Sequence, residues 1–220
     1  MKAGTIILLA SCLACGRLEA GSLSVTVRDG KGAPVSDAVV YASSPATPTR
    51  AGQKAVIDQR DKQFVPYVTA VQAGTSVIFP NKDNIRHHVY SLSSAKRFEL
   101  PLYAGIPAKP VLFDKEGFVT LGCNIHDWMI AYVAVLGTPY FQVTGRDGRA
   151  ILTDLPPGQY TIAVWHPLLK GSPDGSAQHI DLKQGDGQAL LFTLKLKPDF
   201  RAKRAPGLSN GGYQIGRAHV

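Results

Sequence analysis

The chain has 220 residues, of which 45% are hydrophobic, and it contains 22 glycines and 15 prolines. This length allows one or two domains, and the apolar content excludes global disorder. The formal net charge is +8, but the lysines and arginines are scattered and accompany no nucleic-acid-binding motif, so we expect a solvated basic surface and no nucleic-acid partner.

Residues 1–20 resemble an export signal. The apolar stretch Ile6–Ala14 is too short to span a bilayer, and the small residue Ala20 ends a suitable cleavage site. A lipoprotein-type cleavage box before Cys12 is the alternative, and we favour cleavage after Ala20 because the apolar stretch before Cys12 is very short. The sequence therefore predicts a periplasmic protein without a membrane span.

Cleavage of this signal would leave one cysteine in the mature chain. Cys12 and Cys15 would be removed, so Cys123 would have no disulfide partner in an oxidising compartment. Cys123 is then either a buried inert thiol or a thiolate committed to another task.

The rest of the chain alternates short apolar segments with turns rich in Gly, Pro and Asp, which predicts an all-β fold of sandwich type. Residues 21–44 are expected to form two strands around a turn, the second running from Val35 to Tyr41, followed by a loop. Residues 55–137 form a second β-rich block, in which Ala95–Pro110 is expected to be an ordered crossing loop. Residues 138–197 form a third block.

Residues 198–220 are expected to be a flexible tail. The last six, 215–220, resemble a translated sequencing-adapter end, so we expect the natural C-terminus to be missing.

The segment after one predicted strand carries the chemistry. Val119, Leu121 and Cys123 alternate onto one face, and a tight turn after Cys123 would let Cys123, His126 and Met129 converge. A thiolate, an imidazole and a thioether suit copper, whereas a methionine ligand argues against zinc as the native metal.

A second imidazole is available upstream, where His87 and His88 follow a polar turn. We favour His87 over His88 as the ligand, from the strand alternation and from the alignment given next. A Cys–His nucleophile pair is a weaker reading of the same residues, because no oxyanion hole accompanies it.

The pattern Cys-x-x-His-x-x-Met, with an upstream His-x-Val, resembles the blue copper proteins called cupredoxins, and its loop spacing is similar to that of amicyanins. The run from Asp58 to about Tyr140 resembles the cupredoxin-like proteins labelled methylamine utilisation proteins. The resemblance implies a Greek-key sandwich with one type 1 copper ion. By position, it assigns the ligands His87, Cys123, His126 and Met129.

Two positions depart from this family. His88 stands where cupredoxins commonly carry Asn, and Asp127 stands where amicyanin-like loops carry Pro. Each departure changes the surroundings of a ligand, so the support around the metal is expected to differ from that of the family.

A second resemblance concerns the flanking segments. Residues 153–162 resemble the carboxypeptidase-regulatory-like, prealbumin-type sandwich, and residues 32–40 match the opening of that family far upstream. We expect residues 21–44 and 138–197 to form one sandwich with the cupredoxin domain, residues 55–137, inserted between them. The alternative is two independent units with a short N-terminal hairpin.

The function implied by these resemblances is one-electron transfer in the periplasm, not enzymatic catalysis, with an acidic redox partner attracted by the basic surface. One rival is a copper-binding accessory protein without a redox role. Another is a ligand- or carbohydrate-binding sandwich, for which Trp165 would be the aromatic platform.

Overall fold

The computed structural model describes residues 20–45, 52–107 and 109–199, so the signal peptide, the lipid-attachment alternative and nearly all of the tail lie outside the described residues. The all-β prediction is confirmed: strands make up nearly all the regular structure described, beside one short 3-10 turn, Pro173–Ser176. None of the described segments forms a helix long and apolar enough to cross a bilayer.

Two N-terminal strands come first: β1 (Gly21–Asp29) and β2 (Val39–Ser43). The central segment follows with ten strands: β3 (Lys54–Val56), β4 (Asp58–Arg60), β5 (Gln63–Val65), β6 (Val68–Gln72), β7 (Thr75–Ile78), β8 (His87–Ser93), β9 (Lys96–Tyr103), β10 (Val111–Phe113), β11 (Gly117–Gly122) and β12 (Ile130–Leu136). The last five are β13 (Phe141–Val143), β14 (Arg149–Leu155), β15 (Gly158–Trp165), β16 (Gln178–Leu182) and β17 (Gly187–Leu194).

The N-terminal strands pair with the C-terminal ones in two sheets. Strand β1 lies between β14, which is antiparallel to it, and β17, which is parallel to it. Strand β2 lies between β13 and β15, and β16 pairs with β15 at the edge. Apolar side chains alternate inward along β1, where Leu23, Val25 and Val27 are fully buried in the core between these sheets. Because β1 and β2 belong to different sheets, they do not form a hairpin.

The central segment forms its own sandwich. One sheet has the strand order β6-β12-β11-β8-β9, and the other has the order β10-β7-β3. A separate core of apolar residues, including Phe79, Phe113 and Leu121, fills the space between them. The β4–β5 hairpin lies beside these sheets, and an isolated bridge joins Gln59 of β4 to Asn81. This pairing of the terminal strands around a central sandwich is what the insertion hypothesis requires, and the domain boundaries themselves stay a prediction.

The two sandwiches meet through a third apolar cluster. Val39, Val68, Ala134 and Leu136 are buried there, and the Trp165 ring stacks on Phe118 with ring centroids 4.3 Å apart and planes 3° apart. The strands of both units therefore contribute to one continuous apolar contact.

Two expectations for individual elements are wrong. Ala95–Pro110 is not a crossing loop, because Lys96–Tyr103 forms β9 and pairs with β8. The second strand begins at Val39 rather than Val35, since Asp37 adopts a left-handed φ of 59° that interrupts extended backbone.

Candidate metal centre

Strand β11 delivers Cys123 to the central core. Val119 and Leu121 are fully buried on the inward face, and Cys123 follows on the same face with 5% of its surface exposed. The predicted alternation is therefore correct, and the sulfur lies inside the sandwich at the end of the strand.

The chain turns sharply after Cys123. The Met129 N–H donates to the His126 carbonyl (3.0 Å), and β12 begins at Ile130. The loop brings the His126 ring back beside the Cys123 sulfur. Met129, at the end of the turn, lies in the core with 1% of its surface exposed.

His87 is held by the loop between β7 and β8. The buried Asn81 organises this loop: its amide nitrogen donates to the carbonyls of Ile85 (2.8 Å) and Tyr103 (2.9 Å), and its amide oxygen accepts from the Asp83 N–H (3.0 Å). His87 starts β8 and is fully buried.

Three predicted ligands come together. Cys123 Sγ lies 3.9 Å from His87 Nδ1 and 3.8 Å from His126 Nδ1, and the three atoms lie within 4.8 Å of one another. Metal bonds of about 2.0–2.3 Å meeting at about 110–120° separate a nitrogen and a sulfur ligand by roughly 3.6–3.8 Å. The spacing of these side chains therefore fits a single metal ion.

The donor set also restricts the metal. Two imidazoles and a thiolate, with a buried methionine in the same apolar cluster, are soft or borderline ligands that suit copper. The apolar surroundings limit access of water to this group of donors. Met129 as the fourth ligand stays a prediction.

Asp83 fixes the other side of the His87 ring. Its Oδ2 atom lies 2.7 Å from His87 Nε2, and its carboxylate accepts the backbone N–H groups of Asp61 (2.6 Å) and Lys62 (2.9 Å). Burial alone would raise the pKa of Asp83, but the hydrogen bonds from His87, Lys62 and Asp61 outweigh it and hold the pKa below its usual value. The carboxylate is thus ionised at neutral pH. Because it contacts Nε2 of His87, the other ring nitrogen, Nδ1, faces Cys123.

His126 is the more exposed of the two imidazoles. Burial lowers its pKa, and the neighbouring His87 and Lys62 lower it further against the opposing charge of Asp83. The ring is therefore neutral at neutral pH, the form that binds a metal. Trp128 packs beside it, with ring centroids 5.1 Å apart.

His88 points elsewhere. Its Nε2 atom lies 2.8 Å from Glu99 Oε1 on the neighbouring strand β9, and its ring packs against Tyr90. Of the two adjacent histidines, the structure places His87 in the three-residue group with Cys123.

Trp165 does not form an open platform. It is 8% exposed and one face of its ring is covered by Phe118. A stacking surface for a sugar needs an accessible ring face, so this residue supports the contact between the sandwiches instead.

Sequence reasoning missed Asp83 and the hairpin that holds it. The signal available was a carboxylate four residues before a proposed histidine ligand, since metal-binding imidazoles commonly bond a carboxylate through their other nitrogen. The hairpin contact leaves no comparable signal, because Asp61 and Lys62 meet Asp83 only in the folded chain.

A scan of the chain against protein-family models found no match, and a search of curated proteins found none. Among solved structures, the chain is similar to a purple cupredoxin from Nitrosopumilus maritimus, with 21% identity, a TM-score of 0.33, and coverage of 39% of this chain and 100% of that one. It is also similar to an amicyanin variant (21% identity, TM-score 0.34, covering 44% of this chain and 99% of that one).

A third similar structure is a copper-containing nitrite reductase from Thermus scotoductus, with 20% identity and a TM-score of 0.36, covering 43% of this chain and 25% of that one. The assignment below depends on the side chains of this chain.

Proposed function

We propose that the chain is an exported type 1 copper protein that carries one electron and is not an enzyme. One copper ion would be held by His87, Cys123, His126 and Met129 and would supply the one-electron redox chemistry. The observation that carries the proposal is the convergence of two imidazole nitrogens and one thiol sulfur from two separate stretches of chain.

The burial of the proposed ligands favours electron transfer over catalysis on a substrate bound at the metal. His87 is fully buried and Cys123 is 5% exposed, so both donors are shielded from direct contact with a substrate. A packed setting also limits movement of the ligands between the two oxidation states, so little energy is needed to reorganise the site.

His126 is the proposed point of electron exit, because it is the one partly exposed residue of the three. Lys62 lies near it and supplies positive charge, which favours an acidic partner. We propose the periplasm as the compartment.

The test is copper loading of the mature chain, followed by metal analysis and absorption spectroscopy. We expect one copper per chain and an intense thiolate-to-Cu(II) band that disappears on reduction and returns on oxidation. Cys123→Ser should remove the band. His179→Gln, a change at an exposed histidine on β16 in the sandwich of terminal strands, should leave the band intact.

Retention of the band in Cys123→Ser would reject the ligand assignment. Copper bound without a reversible band would instead favour the accessory protein over the electron carrier.

A further inference from the structure

The tip of the β4–β5 hairpin lies against the loop that carries His87. Asp61 and Lys62 form this tip, and both adopt left-handed backbone conformations, with φ values of 52° and 56°. Such values are unfavourable for most residues other than glycine, although aspartate tolerates them better than lysine does, and strained backbone of this kind tends to persist where surrounding contacts require it.

The contact that these residues make is specific. In this conformation, both backbone N–H groups are directed at one carboxylate: Asp61 N donates to Asp83 Oδ1 (2.6 Å) and Lys62 N donates to Asp83 Oδ2 (2.9 Å). The backbone of Asp83 is held in turn by the amide oxygen of Asn81. The hairpin tip therefore holds the carboxylate of Asp83, and Asn81 holds its backbone.

The same Oδ2 atom lies 2.7 Å from His87 Nε2, and the side chain of Asp83 is only 13% exposed. A carboxylate that already accepts two N–H bonds accepts a third from the imidazole, so the ring proton belongs on Nε2. The Nδ1 lone pair is then left on the side of Cys123 Sγ, 3.9 Å away.

We propose that the hairpin tip and Asp83 form a clamp that keeps His87 in the Nε2–H tautomer and so presents Nδ1 to the metal. The hairpin acts through Asp83, which makes Asp61, Lys62 and Asp83 positioning residues. The purpose of the clamp rests on the proposed function, but the clamp itself exists without metal and can be measured in the metal-free chain.

The experiment is long-range ¹H–¹⁵N NMR of the histidines in metal-free protein, at a mildly alkaline pH where an ordinary imidazole is neutral. We expect His87 to show a single Nε2–H tautomer in the wild type and a mixture of both tautomers in Asp83→Ala. Asp114→Ala, which removes an exposed carboxylate paired with Lys96, should leave His87 unchanged. An Nδ1–H tautomer in the wild type would overturn the proposal, and this result needs no variant.

Two further variants separate positioning from simple packing. Asp83→Asn should retain the Nε2–H tautomer, because an amide oxygen at the Oδ2 position still accepts from His87 and Lys62. Asp83→Leu fills the same space without an acceptor and should give the mixture. A single Nε2–H tautomer in Asp83→Ala or Asp83→Leu would refute the clamp.

With copper, Asp83→Ala should lower the affinity roughly 10–100-fold, the usual effect of losing a carboxylate behind a metal-binding histidine. A wild-type protein that shows the tautomer but takes up no copper would refute the proposed function and leave the clamp standing.

Discussion

His87 and His88 show how one position along a strand decides between two chemical environments. Adjacent side chains on a strand face opposite sides, and here one imidazole reaches Cys123 while the other reaches Glu99. Both rings are buried, so burial alone does not distinguish them. The two histidines are distinguished by distance, because His87 Nδ1 lies 3.9 Å from Cys123 Sγ whereas His88 bonds Glu99.

His87→Gln should remove the thiolate–copper band and weaken copper binding by more than about 100-fold, since a direct ligand is worth at least as much as the residues behind it. His88→Gln is the matched change and should keep both the band and the affinity, because His88 bonds Glu99 instead. Copper titration followed by absorption measures both variants. A larger loss in His88→Gln than in His87→Gln would reverse the assignment.

For individual residues, the sequence predicts which ones lie close together when they share a short segment. It does not predict contacts between residues that meet across the fold. Cys123, His126 and Met129 are three residues apart after a strand, so a turn alone brings them together. Asp83 lies 21–22 residues from the N–H groups that hold it, and no periodic pattern connects these positions.

Among the elements, strand β9 was the least predictable. Its exposure alternates, but Pro101 lies within it and a proline disfavours a central strand. An edge position tolerates this residue, and β9 is at the edge of its sheet. Sequence periodicity does not report which strands lie at an edge, so the prolines and glycines of this segment favour a loop over the strand that forms.

The turn before β14 ties the N-terminal strand to the C-terminal block. Gly148 has a φ of 72°, its carbonyl accepts from the Val27 N–H (2.7 Å), and a Cβ at this position would lie 2.5 Å from the Val27 carbonyl oxygen. The turn therefore needs glycine for both its backbone conformation and its close approach to β1.

Gly148→Ala should lower the free energy of unfolding by about 2–4 kcal/mol, from the left-handed backbone and the steric overlap together. Gly32→Ala is the control, because Gly32 has a φ of 84° but open space around the added methyl group. It should cost only about 1–2 kcal/mol. Denaturant unfolding provides both values, and equal losses would show that the close approach to Val27 is unimportant.

For the whole molecule, the prediction of two sandwich-like units came from block composition and two separate resemblances. The contact between them was not predictable, because Phe118 and Trp165 belong to strands of different units and meet only after both have formed. The sequence therefore indicates Trp165 as a candidate ligand platform, whereas its ring stacks on a phenylalanine of the same chain.

Phe118→Ala should destabilise the protein by about 1–2 kcal/mol through lost burial and ring stacking. In a Trp128→Phe background, which leaves Trp165 as the one tryptophan, it should also shift the emission to longer wavelength, because one face of the indole becomes hydrated. Leu92→Ala, at a residue that is 70% exposed, should change neither property. Denaturation curves and tryptophan fluorescence measure the two effects, and an unshifted spectrum would mean that the indole stays covered.

The residues at which the chain leaves and re-enters the sandwich of terminal strands lie next to each other. The Thr138 hydroxyl donates to the carbonyl of Ala42, 96 residues earlier, and the Ala42 N–H donates to the Tyr140 carbonyl (2.9 Å). If β2 paired with β13 before the central segment folded, the unfolded segment between them would form a very long flexible loop, and closing that loop costs conformational entropy. The central strands lie on one continuous stretch, so if they assemble first they bring both ends together and shorten that loop. From this topology we expect the central sandwich to form before the sheets that join the two ends of the chain.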